Sequence, residues 1–234
     1  MGMPPPEIMS GVLREAGAKA IVVCLDKRIG GSTVEEFERF VRDQNRSKKL
    51  LPGPIPIVWS DHVVDKIQIA YAGALGASAI TLNQDLTDEL PSMIEYAFKC
   101  DVEPIVMVKS LDEANFAISH GAKALCLHSL EEEQLISIRK QLPSDKDIVY
   151  IAKLRPESEF SSYFEIDLSW TLRDSGFNVI WPSPEAVYAT GFIDMYSVIL
   201  AIKAKASRQF LSPRQFMMER KKEGATEYLG DILY

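Results

Sequence analysis

The sequence predicts one α/β domain in which helices and parallel strands alternate along the chain and curl toward a (β/α) barrel. Two observations carry this expectation. A glycine-centred unit recurs at 16–25, 75–82, 120–128 and 175–181, and helical stretches with recognisable start signals separate one short apolar run from the next. In each unit a glycine (Gly17, Gly76, Gly121, Gly176) follows an amphipathic stretch. A residue just past a helix end must often take positive φ there, and glycine does so at least cost. The apolar run that follows is short and continuous, the mark of a strand buried on both faces.

Taken in order, strands are expected at 18–25, 55–59, 77–82, 103–108, 122–127, 147–152 and 177–181. Thr33 with Glu36 forms a capping box that opens the helix after the first strand. Helical periodicity covers 61–75 and 87–99, and Ser110 with Glu113 repeats the capping signal. Ser129 followed by Glu131, Glu132 and Glu133 predicts another helix start, with acids at its positive end. The most apolar helix, 187–202, contains Asp194 and is too short to span a bilayer. Strict alternation means parallel pairing, and right-handed crossovers repeated this often favour closure. Seven runs rather than eight keep an open doubly wound sheet as the alternative, though no early G-x-G-x-x-G supports its nucleotide-binding form.

Composition narrows the function classes. The 234 residues are 47% apolar and 25% charged, as expected of a folded globular chain. A formal net charge of −7 argues against nucleic acid as a partner, and the basic pieces Arg46–Lys48–Lys49 and Arg220–Lys221–Lys222 read as solvated faces. Cys24, Cys100 and Cys126 have neither paired nor metal-site spacing, which suits a reducing compartment. No metal or cofactor is expected. The N-terminus lacks the apolar stretch of a signal peptide, so a soluble intracellular protein is expected, with a plastid or other organelle compatible.

The run from Glu15 through Thr33, with its Ala-Gly-Ala start and Gly-Gly-Ser end, resembles the second strand and following loop of indole-3-glycerol phosphate synthases. The run 56–65 resembles that family's third strand, and 70–80 and 103–108 its fourth and fifth, in register from about residue 12 to 180. The resemblance implies a TIM (β/α)8-type barrel over 1–205, its site at the C-terminal strand ends, with the family's first strand apparently missing and an apolar extension at 206–234.

Carried across by that resemblance, the family's general-acid lysine falls on Ser60, with its neighbouring Asp kept as Asp61 and its Phe replaced by His62. The catalytic Glu of the fifth strand falls on Met107, and an Asn of the sixth on His128. A Glu-Ser-Gly of the seventh falls on Lys153, Leu154 and Arg155, and the phosphate cradle after the eighth falls near Pro182 and Ser183. Ser60 cannot act as an ammonium acid, and Met107 cannot accept a proton. Pro182 and Pro184 remove backbone donors, although Arg155 and Ser183 remain candidates to hold phosphate. If chemistry persists, its candidates are Lys153, Lys109, His128 and Asp61; a desolvated lysine could form a Schiff base, and the alternative is that these chains snorkel to solvent at the rim.

Two functions follow. One is a non-catalytic barrel acting as a binding, regulatory or assembly subunit, with a protein partner or self-association through the open barrel side or the 206–234 extension. That extension carries Phe210, Phe216, Tyr228 and Ile232 and could equally fold back on its own barrel. The other is an active synthase of tryptophan biosynthesis with relocated catalytic residues.

Overall fold

The computed structural model describes residues 4–86, 88–155, 161–184, 187 and 192–204. The expected strands form at Ile21–Cys24 (β1), Ile57–Ser60 (β2), Ala79–Asn83 (β3), Glu103–Val108 (β4), Ala124–Leu127 (β5), Val149–Lys153 (β6) and Val179–Trp181 (β7). They pair in parallel in the order β1-β2-β3-β4-β5-β6-β7, the curled, incomplete wall of a TIM-type barrel. Helices lie at Pro6–Glu15 (α1), Val34–Arg46 (α2), Lys66–Ala74 (α3), Leu90–Lys99 (α4), Leu111–Ser119 (α5), Glu132–Gln141 (α6), Ser161–Asp174 (α7) and Phe192–Lys203 (α8).

Two apolar layers hold the wall. The outer one joins strands to helices through Phe37, Trp59, Ile80, Leu82, Leu125 and Leu127. The inner one fills the concave side with Val58, Ala79, Ile105, Met107, Ala124, Cys126 and Ile151. These are alternate residues of their strands, as period-two geometry requires.

Each expected helix-ending glycine has positive φ: 73° at Gly17, 93° at Gly76, 88° at Gly121 and 99° at Gly176. The fifth such turn, between α4 and β4, uses Asp101 instead, at φ 58°. Asp tolerates that region because its short polar chain bonds locally, which is why no glycine marks this unit in the sequence. Thr33 and Glu36 form the expected box, bonding each other's backbone N–H at 3.1 and 2.7 Å. Ser110 caps α5, but Glu113 accepts from Lys109 N at 2.6 Å rather than from the cap itself. α6 begins later than expected: Ser129 adopts φ 60°, and Glu131 is the N-cap, its N–H donating to Gln134.

Residues 6–15 are a helix rather than an eighth strand. β1 and β7 form the two edges of the described sheet, and the helical layer closes over them where Lys203 Nζ of α8 donates to Ala16 O at 2.9 Å at the end of α1. The expected covering role of 206–234 lies outside the described residues, as does the first part of the expected 187–202 helix apart from the buried Val187.

Backbone conformation gives a paired prediction. A Cβ at either Gly11 or Gly121 would meet nothing within 4 Å, yet only Gly121 sits at positive φ. Gly121→Ala therefore loses about 1–2 kcal/mol through left-handed strain, whereas Gly11→Ala, inside α1, gains about 0.5–1 kcal/mol. Urea unfolding of the two variants checks the opposite signs.

Candidate functional site

The C-terminal strand ends carry two polar groups. At β1 and β2, Asp26 binds Arg28 through both carboxylate oxygens, and this pairing holds its carboxyl down at about 2. Arg28 Nη2 also lies 2.9 Å from His62 Nδ1, and His62 N donates to Asp61 Oδ1 at 2.8 Å. Asp61 thus stands in a rim network that ties the loop after β1 to the loop after β2. Ser60 is half-buried beside Thr81, whose hydroxyl lies 3.4 Å from its own.

The second group crowns β3 to β7. Met107 is 6% exposed and stands in register with Asn83 on one side and Cys126 on the other. Below the rim, burial pushes the Cys126 thiol up to about 12, so it offers no thiolate nucleophile at neutral pH. Lys109, one residue past β4, is exposed and pairs with Asp85 at 2.7 Å; that hydrogen bond lowers the Asp85 carboxyl. Arg155 pairs with Glu131 at 3.0 Å and also donates to Ser129 O.

Lys153 ends β6 with its ammonium 4.6 Å from the centre of the Trp181 ring, its register partner on β7. Among the described residues no carboxylate pairs with it. His128 is half-buried between these cations, with Nδ1 3.0 Å from Ser129 Oγ. Desolvation first, then the charges of Lys109 and Lys153, hold its pKa down at about 4.

Ser183, one of the two candidates to hold phosphate, is buried against α7. It is 1% exposed, and its N–H donates to Glu165 Oε2 at 3.0 Å while its hydroxyl donates to Glu165 Oε1. Glu165, on α7, is equally buried. A carboxylate of the chain itself therefore occupies donors that an external anion would need. The sequence shows one cue for it: Glu165, Ser169 and Leu172 share helical spacing, and all three are buried, so the carboxylate sits on an inward helix face. Trp181 and the counter-ions Asp85 and Glu131 have no comparable cue, because each meets its partner only through the fold.

The structure brings Lys109, His128, Lys153 and Arg155 to one side of the mouth and leaves Asp61 with Arg28 and His62. Among the described residues no three His, Cys, Asp or Glu gather as a metal would require, and no helix is long and apolar enough to cross a membrane.

The described residues form a seven-stranded, TIM-type half-barrel with a cationic patch at the end where such folds place their sites. No family model matches the chain. In sequence it is similar to indole-3-glycerol phosphate synthases. It is 32% identical to that of Aquifex aeolicus over 149 residues, covering 61% of this chain and 54% of the relative. To the Leptospira interrogans synthase it is 29% identical, over 53% of this chain and 46% of the relative. The chain thus spans about half the length of the curated relatives it matches. Among solved structures, orotidine 5'-phosphate decarboxylase of Pyrococcus horikoshii superposes with a TM-score of 0.62 at 12% identity, covering 85% of this chain and 93% of that one, a likeness of fold alone.

The electrostatics of His128 set a pH dependence. Its folded pKa of about 4 lies below the ordinary 6.5, so the unfolded chain binds the proton more readily. The contribution of His128 to stability is complete above pH 6.5 and falls as pH drops toward 4. Lys153→Met removes one of the charges responsible and raises the His128 midpoint, as NMR titration of its ring protons will show.

Proposed function

We propose that this chain is a non-catalytic relative of indole-3-glycerol phosphate synthase, serving as a binding, regulatory or assembly subunit. The observation that carries the reading is the state of the Ser183 donors, both engaged by the buried Glu165 carboxylate. A substrate phosphate would have to expel that carboxylate from both Ser183 donors, and breaking a buried charged contact costs several kcal/mol.

Met107 supports the same reading. It stands where the resemblance puts a proton-accepting carboxylate, and it is packed into the inner apolar layer. Lys153 stands where the resemblance puts a second Glu. By the resemblance, two acidic positions are a thioether and a cation in this chain. Loss of one such group costs orders of magnitude in rate. A protein partner or self-association, through the open barrel side or the 206–234 extension, is part of this reading.

One observation favours a residual active synthase: Lys153 has no carboxylate partner among the described residues and is near enough to His128 and Cys126 to act on both electrostatically. An assay for indole-3-glycerol phosphate formation by the purified protein decides between the readings. The expected result is no turnover above background. Turnover that disappears in Lys153→Ala would reject the non-catalytic reading and make Lys153 the catalyst.

A further inference from the structure

We propose that the mouth over β4, β5 and β6 binds a small organic anion, a carboxylate or a phosphate monoester, with Lys153 as the principal contact and Lys109 and Arg155 as flanking ones. The inference rests on the non-catalytic reading of this end of the barrel, and its readout is binding rather than turnover.

Charge is the first part of the argument. Three cations meet here with Asp85 and Glu131, while a third carboxylate, Glu113, is engaged by the Lys109 backbone N–H. Lys109 is matched by Asp85 and Arg155 by Glu131, which leaves Lys153 without an anionic partner among the described residues. Among the described residues its close contact is the Trp181 ring, 4.6 Å from the ammonium. A ring face holds an ammonium through its quadrupole but leaves the opposite side of that cation open to an acceptor.

The flanking pairs can be re-partnered at little cost. Lys109 and Asp85 have side chains 44% and 57% exposed, and Arg155 and Glu131 47% and 64%. Exposed pairs of this kind contribute only about 0–1 kcal/mol, so either cation can turn to a ligand without a large penalty. Backbone geometry adds to this at His128 and Ser129. Ser129 holds φ 60°, uncommon for a serine, and its hydroxyl lies against His128 Nδ1 while its carbonyl accepts from Arg155. If that hydroxyl donates to Nδ1, the neutral imidazole carries its proton on Nε2 and offers a hydrogen-bond donor without another charge.

The site differs from the cradle after β7. There the donors are a backbone N–H and a serine hydroxyl already bound to Glu165; here they are side-chain cations on neighbouring strands. His128 also reports on occupancy. The charged groups that act on it are Lys109 after β4, Lys153 and Arg155 on and after β6, and Asp85 after β3. An anion among them offsets the cations and raises its pKa.

The test titrates the full chain with inorganic phosphate and, separately, with acetate at constant ionic strength, following the His128 ring protons by NMR and heat by calorimetry. Saturable binding of at least one probe is expected with a Kd of about 1–10 mM, together with a rise in the His128 midpoint. Which probe binds more tightly tells a phosphate monoester site from a carboxylate site. Lys153→Met should weaken binding by about tenfold or more, while Lys140→Met on α6 and Ser183→Ala after β7 should leave it unchanged. Should Lys153→Met unfold, as judged by circular dichroism, Lys109→Met and Arg155→Gln carry the same expectation with a smaller loss. The proposal is overturned by absence of saturable binding, by unchanged affinity in the Lys153 variant, or by a loss specific to Ser183→Ala. None of these outcomes would restore turnover, so failure here is distinguishable from failure of the non-catalytic reading.

Discussion

The apolar layer inside the curved sheet is the constraint on which the mouth depends. Val58, Ala79, Ile105, Ala124, Cys126 and Ile151 fill the concave side, and Met107 carries that layer up to the rim at β4. Water excluded from this layer cannot solvate the groups directly above it. Desolvation is accordingly the leading cause of the depressed His128 pKa and of the raised Cys126 pKa. Lys153, two residues past the register partner of Cys126, places its ammonium on the face of Trp181. A carboxylate at position 107 would bring a charge into the same layer and need a partner there. The choice of methionine therefore affects both packing and chemistry.

Opposite this layer, α7 applies the complementary rule that a buried charge must be satisfied. Glu165 meets it through the backbone and hydroxyl donors of Ser183, so one contact joins the helix before β7 to the segment after it. The same contact stabilises the fold locally and fills donors that could otherwise hold a ligand. In the proposed non-catalytic reading, structure and loss of family chemistry are linked through a single carboxylate, and the patch over β4 to β6 is an accessible group of cations at this end of the wall.

Much of the frame was legible because local rules and tertiary structure agree. Four helix ends require a left-handed residue, and glycine at 17, 76, 121 and 176 marks each one. Where Asp101 performs the same turn the mark is absent, and only the apolar run after it revealed β4. The start of α6 was misplaced because Ser129 looks like an N-cap; its hydroxyl instead lies against His128, which moves the cap to Glu131. The candidate site was legible in part. Strand ends could be located, so Lys109, His128, Lys153 and Arg155 could be named. Their partners Asp85, Glu131 and Trp181 lie on other elements, and contacts of that range follow from the register of the whole sheet.

The central claim is that an internal carboxylate holds the Ser183 donors while the cationic mouth remains available to anions. An experimental structure of the protein equilibrated with phosphate tests both halves at once. The account predicts Glu165 on Ser183 and phosphate density against Lys153. Phosphate bound to Ser183, with Glu165 displaced, would contradict it.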